Sequence, residues 1–523
     1  MPGVLLPGHD RNRGPARGSP AQTVTCLAAG RDKCGDGVTH GHGDRPVTHD
    51  PPLVPPNHVI VVFGANGDLA RRKLLPSFFH LHEEGLMPKD YRIVGTSRSG
   101  MSDDEFREFA RAAVKEFSRS HLPEDIWRDF ARRLSYVSAT FGTDTTAPVE
   151  EAVHAADAEM TAAPQRLFYL AVPSSAFADI TQGLAKSGLV DGGRVIFEKP
   201  FGSDLKSFQE LNNTVRSCLD DSQVYRIDHF LGKETVQNIL ALRFANGMFE
   251  PVWNRSHIDH IQIDAPETIG IGSRAAFYES TGALRDMVVT HLFQVLSFVA
   301  LEPPPTFTPK ALMDEVAKVF ESIAPLRRDD VVFGQYNGYR EEEGVAADST
   351  TETFAAARVA IDNWRWSGIP FFLRTGKRMP DRRSAVTLVF REPPRRMFVE
   401  AGHDTLDRDH LTIDLGPDEG ITISFLAKVP GPLIELDEAQ MTFRYEGSFG
   451  SDLIGPYEQL LHDALMGDRT LFTRADGIER TWELVHPVLD NRPRVHPYAP
   501  GSWGPQEAFD LIAPRRWHLP REH

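Results

Sequence analysis

The chain of 523 residues, 41% hydrophobic and 25% charged, exceeds what one hydrophobic core absorbs, so at least two domains are expected. Its 57 Lys+Arg against 73 Asp+Glu leave a net charge of −16, which sets aside broad nucleic-acid binding but allows a local basic pocket for a small phosphorylated ligand. Three cysteines (Cys26, Cys34, Cys218) make neither a disulfide framework nor a metal-ligand cluster, and no apolar run approaches the ~18–20 residues of a membrane helix; a cytoplasmic protein with no metal, no nucleic-acid partner and no membrane association is expected.

Residues 1–56 are rich in Gly, Pro, Asp, Arg and His, show no period, and read as a disordered extension without a secretory apolar stretch. Order begins with His58-Val-Ile-Val-Val-Phe-Gly64, a short β-branched block with the profile of a buried parallel strand. A helix is expected over 68–84, a strand at 92–95, helices at 103–118 and 124–134, and strand character at Tyr136-Val137. Strands at 166–172 and 194–197 flank a helix near 176–187. Strands alternating with helices predict a Rossmann-like doubly wound α/β domain over 57–225.

Beyond it the rhythm changes. His257–Asp264 alternates as a half-buried strand does; helices follow at 282–300 and 310–323, then alternating segments at 353–360, 384–390, 409–415, 421–427 and 439–445. This pattern predicts an α+β domain over 226–517 with a large, mainly antiparallel sheet and helices against one face. Helices near 455–466 and 474–486 and a tail at 518–523 complete the chain.

Gly64-Ala-Asn-Gly67 joins the first strand to the first helix, where glycines let a pyrophosphate approach the backbone and the helix N-terminus favours its charge. A glycine turn without a ligand has the same spacing, and only the strand-before, helix-after context favours the nucleotide. The second strand runs into Gly95-Thr-Ser-Arg98-Ser99 with no acid for a ribose 2′-hydroxyl. A guanidinium among hydroxyls suits a 2′-phosphate, so NADP is expected, with NAD a weaker alternative and Arg72 or Lys73 assisting.

Arg226–Glu234 packs Asp228, His229 and Lys233 close together. If Gly232 begins a helical turn, His229 and Lys233 converge on one anion, while Asp228 is free to orient another group; a salt-bridged turn is the bland reading. His291 falls on the core-facing side of a helix with the stripe Leu284, Val288, Leu292, Val295, where a satisfied core histidine and a general base are both open readings. Asp286, five residues earlier, lies roughly 140° around an α-helix and is expected to flank a ligand from another angle.

The Arg226–Glu234 segment resembles the signature of the glucose-6-phosphate dehydrogenase family. Other segments resemble it in order: Gly64–Ala70, Ile93–Ser99, Phe197–Gly202, Arg243–Asn254, Gly282–His291, Arg374–Lys377 and Gly467–Ala475. The likeness covers roughly 58–517. It implies oxidation of glucose 6-phosphate at C1 with hydride transfer to NADP, in a homodimer or homotetramer. It implies His291 as general base, Asp228 as its carboxylate partner, and His229 and Lys233 as phosphate ligands. Glu267, Asp286 and Lys377 would surround the sugar hydroxyls and Arg382 would lie near the phosphate. Lys199 would stand between sugar and nicotinamide, beside Pro200, whose peptide geometry shifts on cofactor binding. Gly64, Asn66, Gly67, Asp68, Leu69 and Arg98 would form the NADP loop, with Thr140 and Phe141 on the adenine side.

Phe230 stands where many relatives have Tyr, and Asn66 where Ser or Thr is common. Asp414 occupies a position where a second, structural nucleotide would want a cation, which argues against that site. Two alternatives remain at this level: a sugar dehydrogenase of the inositol and glucose–fructose oxidoreductase group, and a non-catalytic NADP-binding regulator.

Overall fold

The computed structural model describes residues 23–25, 54–118, 122–395, 397–398, 408–446, 448 and 454–519. The expected disordered extension therefore lies outside the described residues, apart from Val54–Pro56 and strand β1 (Thr23–Thr25), which pairs in parallel with Gln440–Thr442.

Six parallel strands form the N-terminal sheet: β2 (His58–Phe63), β3 (Tyr91–Ser97), β4 (Leu134–Ser138), β5 (Gln165–Leu170), β6 (Arg194–Phe197) and β7 (Val224–Arg226), in the order β4-β3-β2-β5-β6-β7. Every residue of central β2 is buried, as a strand covered by helices on both faces must be. The order reverses between β3 and β5, so the crevice at the carboxyl end of β2 is the topological switch point where ligands bind. Gly64 turns the chain there at φ +78°, and a Cβ on it would lie 2.3 Å from the Ala171 carbonyl oxygen. The sixth strand, β7, runs one residue past the expected boundary at 225.

The second sheet has ten strands: β1, β8 (Ile258–Pro266), β9 (Val331–Tyr336), β10 (Phe354–Ala360), β11 (Pro370–Gly376), β12 (Ser384–Phe390), β13 (His410–Gly416), β14 (Gly420–Lys428), β15 (Leu436–Arg444) and β16 (Val495–Tyr498). It is mainly antiparallel, with parallel pairing at β8–β11, β9–β16 and β1–β15. Strand β8 is central rather than half-exposed. Its polar residues are covered by the chain's own C-terminal segment, through Gln262 to the Arg516 carbonyl at 2.8 Å and the His518 N–H to Gln262 at 2.9 Å. That segment and the helix Gln506–Ile512 pack on the sheet around Tyr336, Phe354, Phe372 and Trp517, so helices are not confined to one face as expected.

A helical rod over Ala275–Ala300 carries the central part of the site. It is long and apolar enough by composition to cross a membrane, contrary to the expectation that no segment approaches that length, but 89% of its most apolar window is buried within protein. The rod is kinked at Gly282 (φ +69°), where a Cβ would meet the Glu352 carboxylate at 2.3 Å. Glu352 receives the Leu284 N–H at 3.1 Å on its side chain and the Ala283 N–H at 3.0 Å on its carbonyl, fixing where the next turn starts. From Leu284 to Leu292 the helix is π, a form concentrated at functional sites.

Candidate active site

The π segment overturns the α-helical angle between Asp286 and His291. With i→i+5 bonding, residues five apart stack along the axis, and both side chains reach the wall of one cavity of about 400 Å³. The same wall holds Lys199, His229, Lys233, Glu267 and Lys377, each expected from sequence, and Arg274, Phe277, Met287 and Ser384, which were not. Arg274 precedes the helical rod in a stretch with no period, so nothing in its local pattern marks it.

His291 is fully buried, and its Nδ1 lies 2.6 Å from Asp228 Oδ1. Asp228 is 1% exposed, and the same oxygen accepts the Phe230 backbone N–H at 2.9 Å. The acid can only accept there when ionised, so Nδ1 carries the ring proton and Nε2 keeps a lone pair. Among the described residues Nε2 has no protein partner. Burial pushes the imidazole below its ordinary range, Asp228 pulls it back up, and Lys199 lowers it again, which leaves a neutral ring at neutral pH.

Around this pair the charges are set in order. Lys199 Nζ donates to Asp286 Oδ1 at 2.8 Å, and Lys377 donates to Glu267. Burial raises the Asp286 carboxyl, but the charge and hydrogen bond of Lys199, helped by Lys377, outweigh it and hold it at about 2. Burial drives His229 well below its usual value, helped by the positive charge of Lys199 and Lys233. Lys233 is lowered by burial and donates to the Leu415 carbonyl at 3.0 Å. An anion entering between His229 and Lys233 would relieve both.

Asp228, His229 and His291 offer ligand atoms within 4.8 Å of one another, close enough for a metal. Asp228 Oδ1 is already committed to His291, and Lys199, Lys233 and Arg274 surround the group with positive charge. The chemistry therefore suits a bound dianion better than a divalent cation.

At the nucleotide end, the Gly64 N–H donates to the Thr96 carbonyl at 2.8 Å and the Gly67 N–H to the Gly64 carbonyl at 2.9 Å. Asn66 and Leu69 are half-buried and Asp68 is exposed on this turn. Arg98 is exposed just beyond β3, on a turn held by Tyr136, whose hydroxyl meets Ser97 Oγ at 2.6 Å and donates to the Ser99 carbonyl at 2.9 Å. Phe141 packs on Phe63 at 5.2 Å while Thr140 is exposed. The Lys199–Pro200 peptide is cis.

Two placements differ from expectation. Arg72 and Lys73 do not stand with Arg98; they line a separate cleft of about 100 Å³ with Tyr457 and Glu458, because the first helix carries them away from the end of β3. Arg382 is exposed and outside the cavity wall; its backbone N–H donates to Asp381 Oδ1 at 2.6 Å. Asp414, buried to 1%, is bound by Arg383 at 2.6 Å and Arg444 at 2.7 Å.

Comparison with known proteins matches residues 61–238 to the family model "glucose-6-phosphate dehydrogenase, NAD binding domain" and residues 240–518 to "glucose-6-phosphate dehydrogenase, C-terminal domain". A glucose-6-phosphate 1-dehydrogenase of Chlamydia pneumoniae is 41% identical, covering 88% of this chain and 95% of its own. A second, from Mycobacterium bovis, is 39% identical over 88% of this chain and 94% of its own. The crystal structure of glucose-6-phosphate 1-dehydrogenase from Mycobacterium avium superposes with TM-score 0.81 at 37% identity, covering 90% of this chain and all of that one. A glucose-6-phosphate dehydrogenase solved in complex with glucose 6-phosphate gives 0.82 at 32%, covering 90% and 99%.

Proposed function

Because the chain belongs to the glucose-6-phosphate dehydrogenase family, we propose that its Asp228–His291 pair is the base of that family's reaction and that NADP is the hydride acceptor. The enzyme oxidises glucose 6-phosphate at C1 to 6-phosphoglucono-1,5-lactone. His291 Nε2 takes the proton of the C1 hydroxyl, and Asp228 holds the Nδ1 proton and stabilises the imidazolium that forms. When bound, the nicotinamide supplies the site that receives hydride from C1. Loss of that hydride and proton converts the hemiacetal carbon to the lactone carbonyl.

His229 and Lys233 take the phosphate, with Arg274 adding positive charge in place of Arg382. Glu267, Asp286 and Lys377 receive and donate hydrogen bonds to the ring hydroxyls, and Lys199 lies between Asp286 and the nicotinamide end. At Gly64 the backbone passes so close to Ala171 that a side chain would collide, which leaves the turn before the first helix to a pyrophosphate, and Arg98 is exposed beyond β3 to meet a 2′-phosphate. Residues 57–225 then form the nucleotide domain and 226–517 the substrate and assembly domain, working in the cytoplasm. The exposed Leu433 and Ile434 on the β14–β15 connection and Met441 on β15 support a homodimer or homotetramer, to be checked by light scattering.

The observation that carries this reading is the buried His291 ring, bonded at Nδ1 to Asp228 and bare at Nε2 on the wall of a cation-rich cavity. It is tested by kcat/KM for glucose 6-phosphate with NADP and with NAD. Turnover preferring NADP supports it. Nucleotide binding without turnover would favour a non-catalytic regulator, and equal use of unphosphorylated sugars would favour the oxidoreductase alternative.

A further inference from the structure

Phe230 does three things at once. Its backbone N–H donates at 2.9 Å to Asp228 Oδ1, the oxygen that also holds His291 Nδ1. Its ring, 6% exposed as a residue, stacks on the His291 imidazole at 4.7 Å between centroids and 24° between planes. The Lys233 ammonium sits over the same ring, 4.6 Å from its centroid. The His229 ring meets His291 edge-on at 4.7 Å and 76°, so His291 is boxed by an aromatic face and an imidazole edge.

A stacked face resists rotation of the imidazole about its Cβ–Cγ bond, which holds the ring in register with Asp228. The negative face of the same ring attracts the ammonium. The Lys233 N–H also donates to the Phe230 carbonyl at 3.2 Å, so the two residues share one turn. A leucine of similar bulk could fill the space, but it has no face for either neighbour.

We infer that Phe230 is a positioning residue that couples the orientation of the His291 imidazole to the placement of the Lys233 ammonium, an inference resting on the roles proposed above for those two groups. Phenylalanine serves here without a hydroxyl because the ring face, rather than a phenolic oxygen, meets both neighbours.

The test is steady-state kinetics of F230L, F230M and F230Y, with K233A and the F230L/K233A double variant, alongside thermal melts. F230L and F230M should raise KM for glucose 6-phosphate ~3–20-fold and lower kcat ~3–10-fold, in line with lost cation–π and stacking contacts. F230Y, which keeps the face, should return both within about threefold of the parent. In the double variant KM should scarcely exceed that of K233A alone, since the contact is already gone. Leucine and methionine variants that match the parent in both constants, a tyrosine variant as impaired as leucine, or additive KM effects in the cycle would each overturn the inference. If F230L does not fold, F230M decides. Full activity of His291→Asn would instead remove the base assignment itself, so the two failures are distinguishable.

Discussion

Replacing Asp228 by Asn tests the dyad most finely, since it removes charge while keeping shape. The carboxylate lies 2.6 Å from His291 Nδ1 and is 1% exposed. One oxygen meets both the Phe230 N–H and His291 Nδ1, so an amide that keeps its oxygen there preserves both contacts and removes only the negative charge. The ring keeps its Nδ1 proton but loses the charge that stabilises the imidazolium formed in the reaction. A charge-assisted hydrogen bond to a buried group contributes ~1.5–3 kcal/mol, and losing the charge raises the barrier by about that much. At about 1.4 kcal/mol per decade, kcat should fall ~10–10²-fold, with KM within a few-fold of the parent. The pH profile adds a sign. Asp228 raises the His291 pKa against burial, so its loss lowers that pKa further, and the acid limb of the residual kcat/KM should move to lower pH. An Asn variant with kcat within threefold of the parent, or an acid limb moving upward, would refute the reasoning.

Lys233→Ala should raise KM for glucose 6-phosphate ~10–100-fold with a smaller change in kcat, because a lysine bound to substrate phosphate contributes in ground and transition states alike; initial-rate kinetics will show whether kcat falls instead. Gly64→Val should abolish nucleotide binding by isothermal titration, since its Cβ would stand 2.3 Å from the Ala171 carbonyl at a φ of +78°. Arg98→Ala should weaken NADP ~10-fold or more while leaving NAD within a few-fold, consistent with loss of a charge-assisted contact to one phosphate; parallel titrations with both nucleotides read the ratio directly. Gly282→Ala should lower the melting temperature by several degrees, a loss of about 1–3 kcal/mol from strain at φ +69° and crowding of Glu352.

Much of this architecture is written in local pattern. The β-branched run at 58–63 and the glycine turn behind it are self-contained signals, and the alternating segments at 384–390 and 421–427 lie in strands that pair as expected. What escaped is what depends on the surroundings. Strand β11 is buried on both faces and carries no alternation to read, and β8 alternates chemically although the C-terminal segment buries its polar side. The site shows the same division. Asp228, His229 and Lys233 stand out through the family resemblance of their segment rather than through spacing alone, whereas the placing of Asp286 and His291 on one wall comes with a π turn that no 3.6-residue period reveals. Arg274 lies on the cavity wall and Arg382 does not, and no period in the sequence around either residue marks the difference.

The central claim is that one buried imidazole accepts the sugar's C1 hydroxyl proton. Pre-steady-state turnover of His291→Asn, measured beside direct binding of glucose 6-phosphate to the same protein, addresses it without intermediaries. The account requires a chemical step slowed ~10²–10⁴-fold with sugar phosphate affinity nearly unchanged. A chemical step at the parent's rate would contradict it.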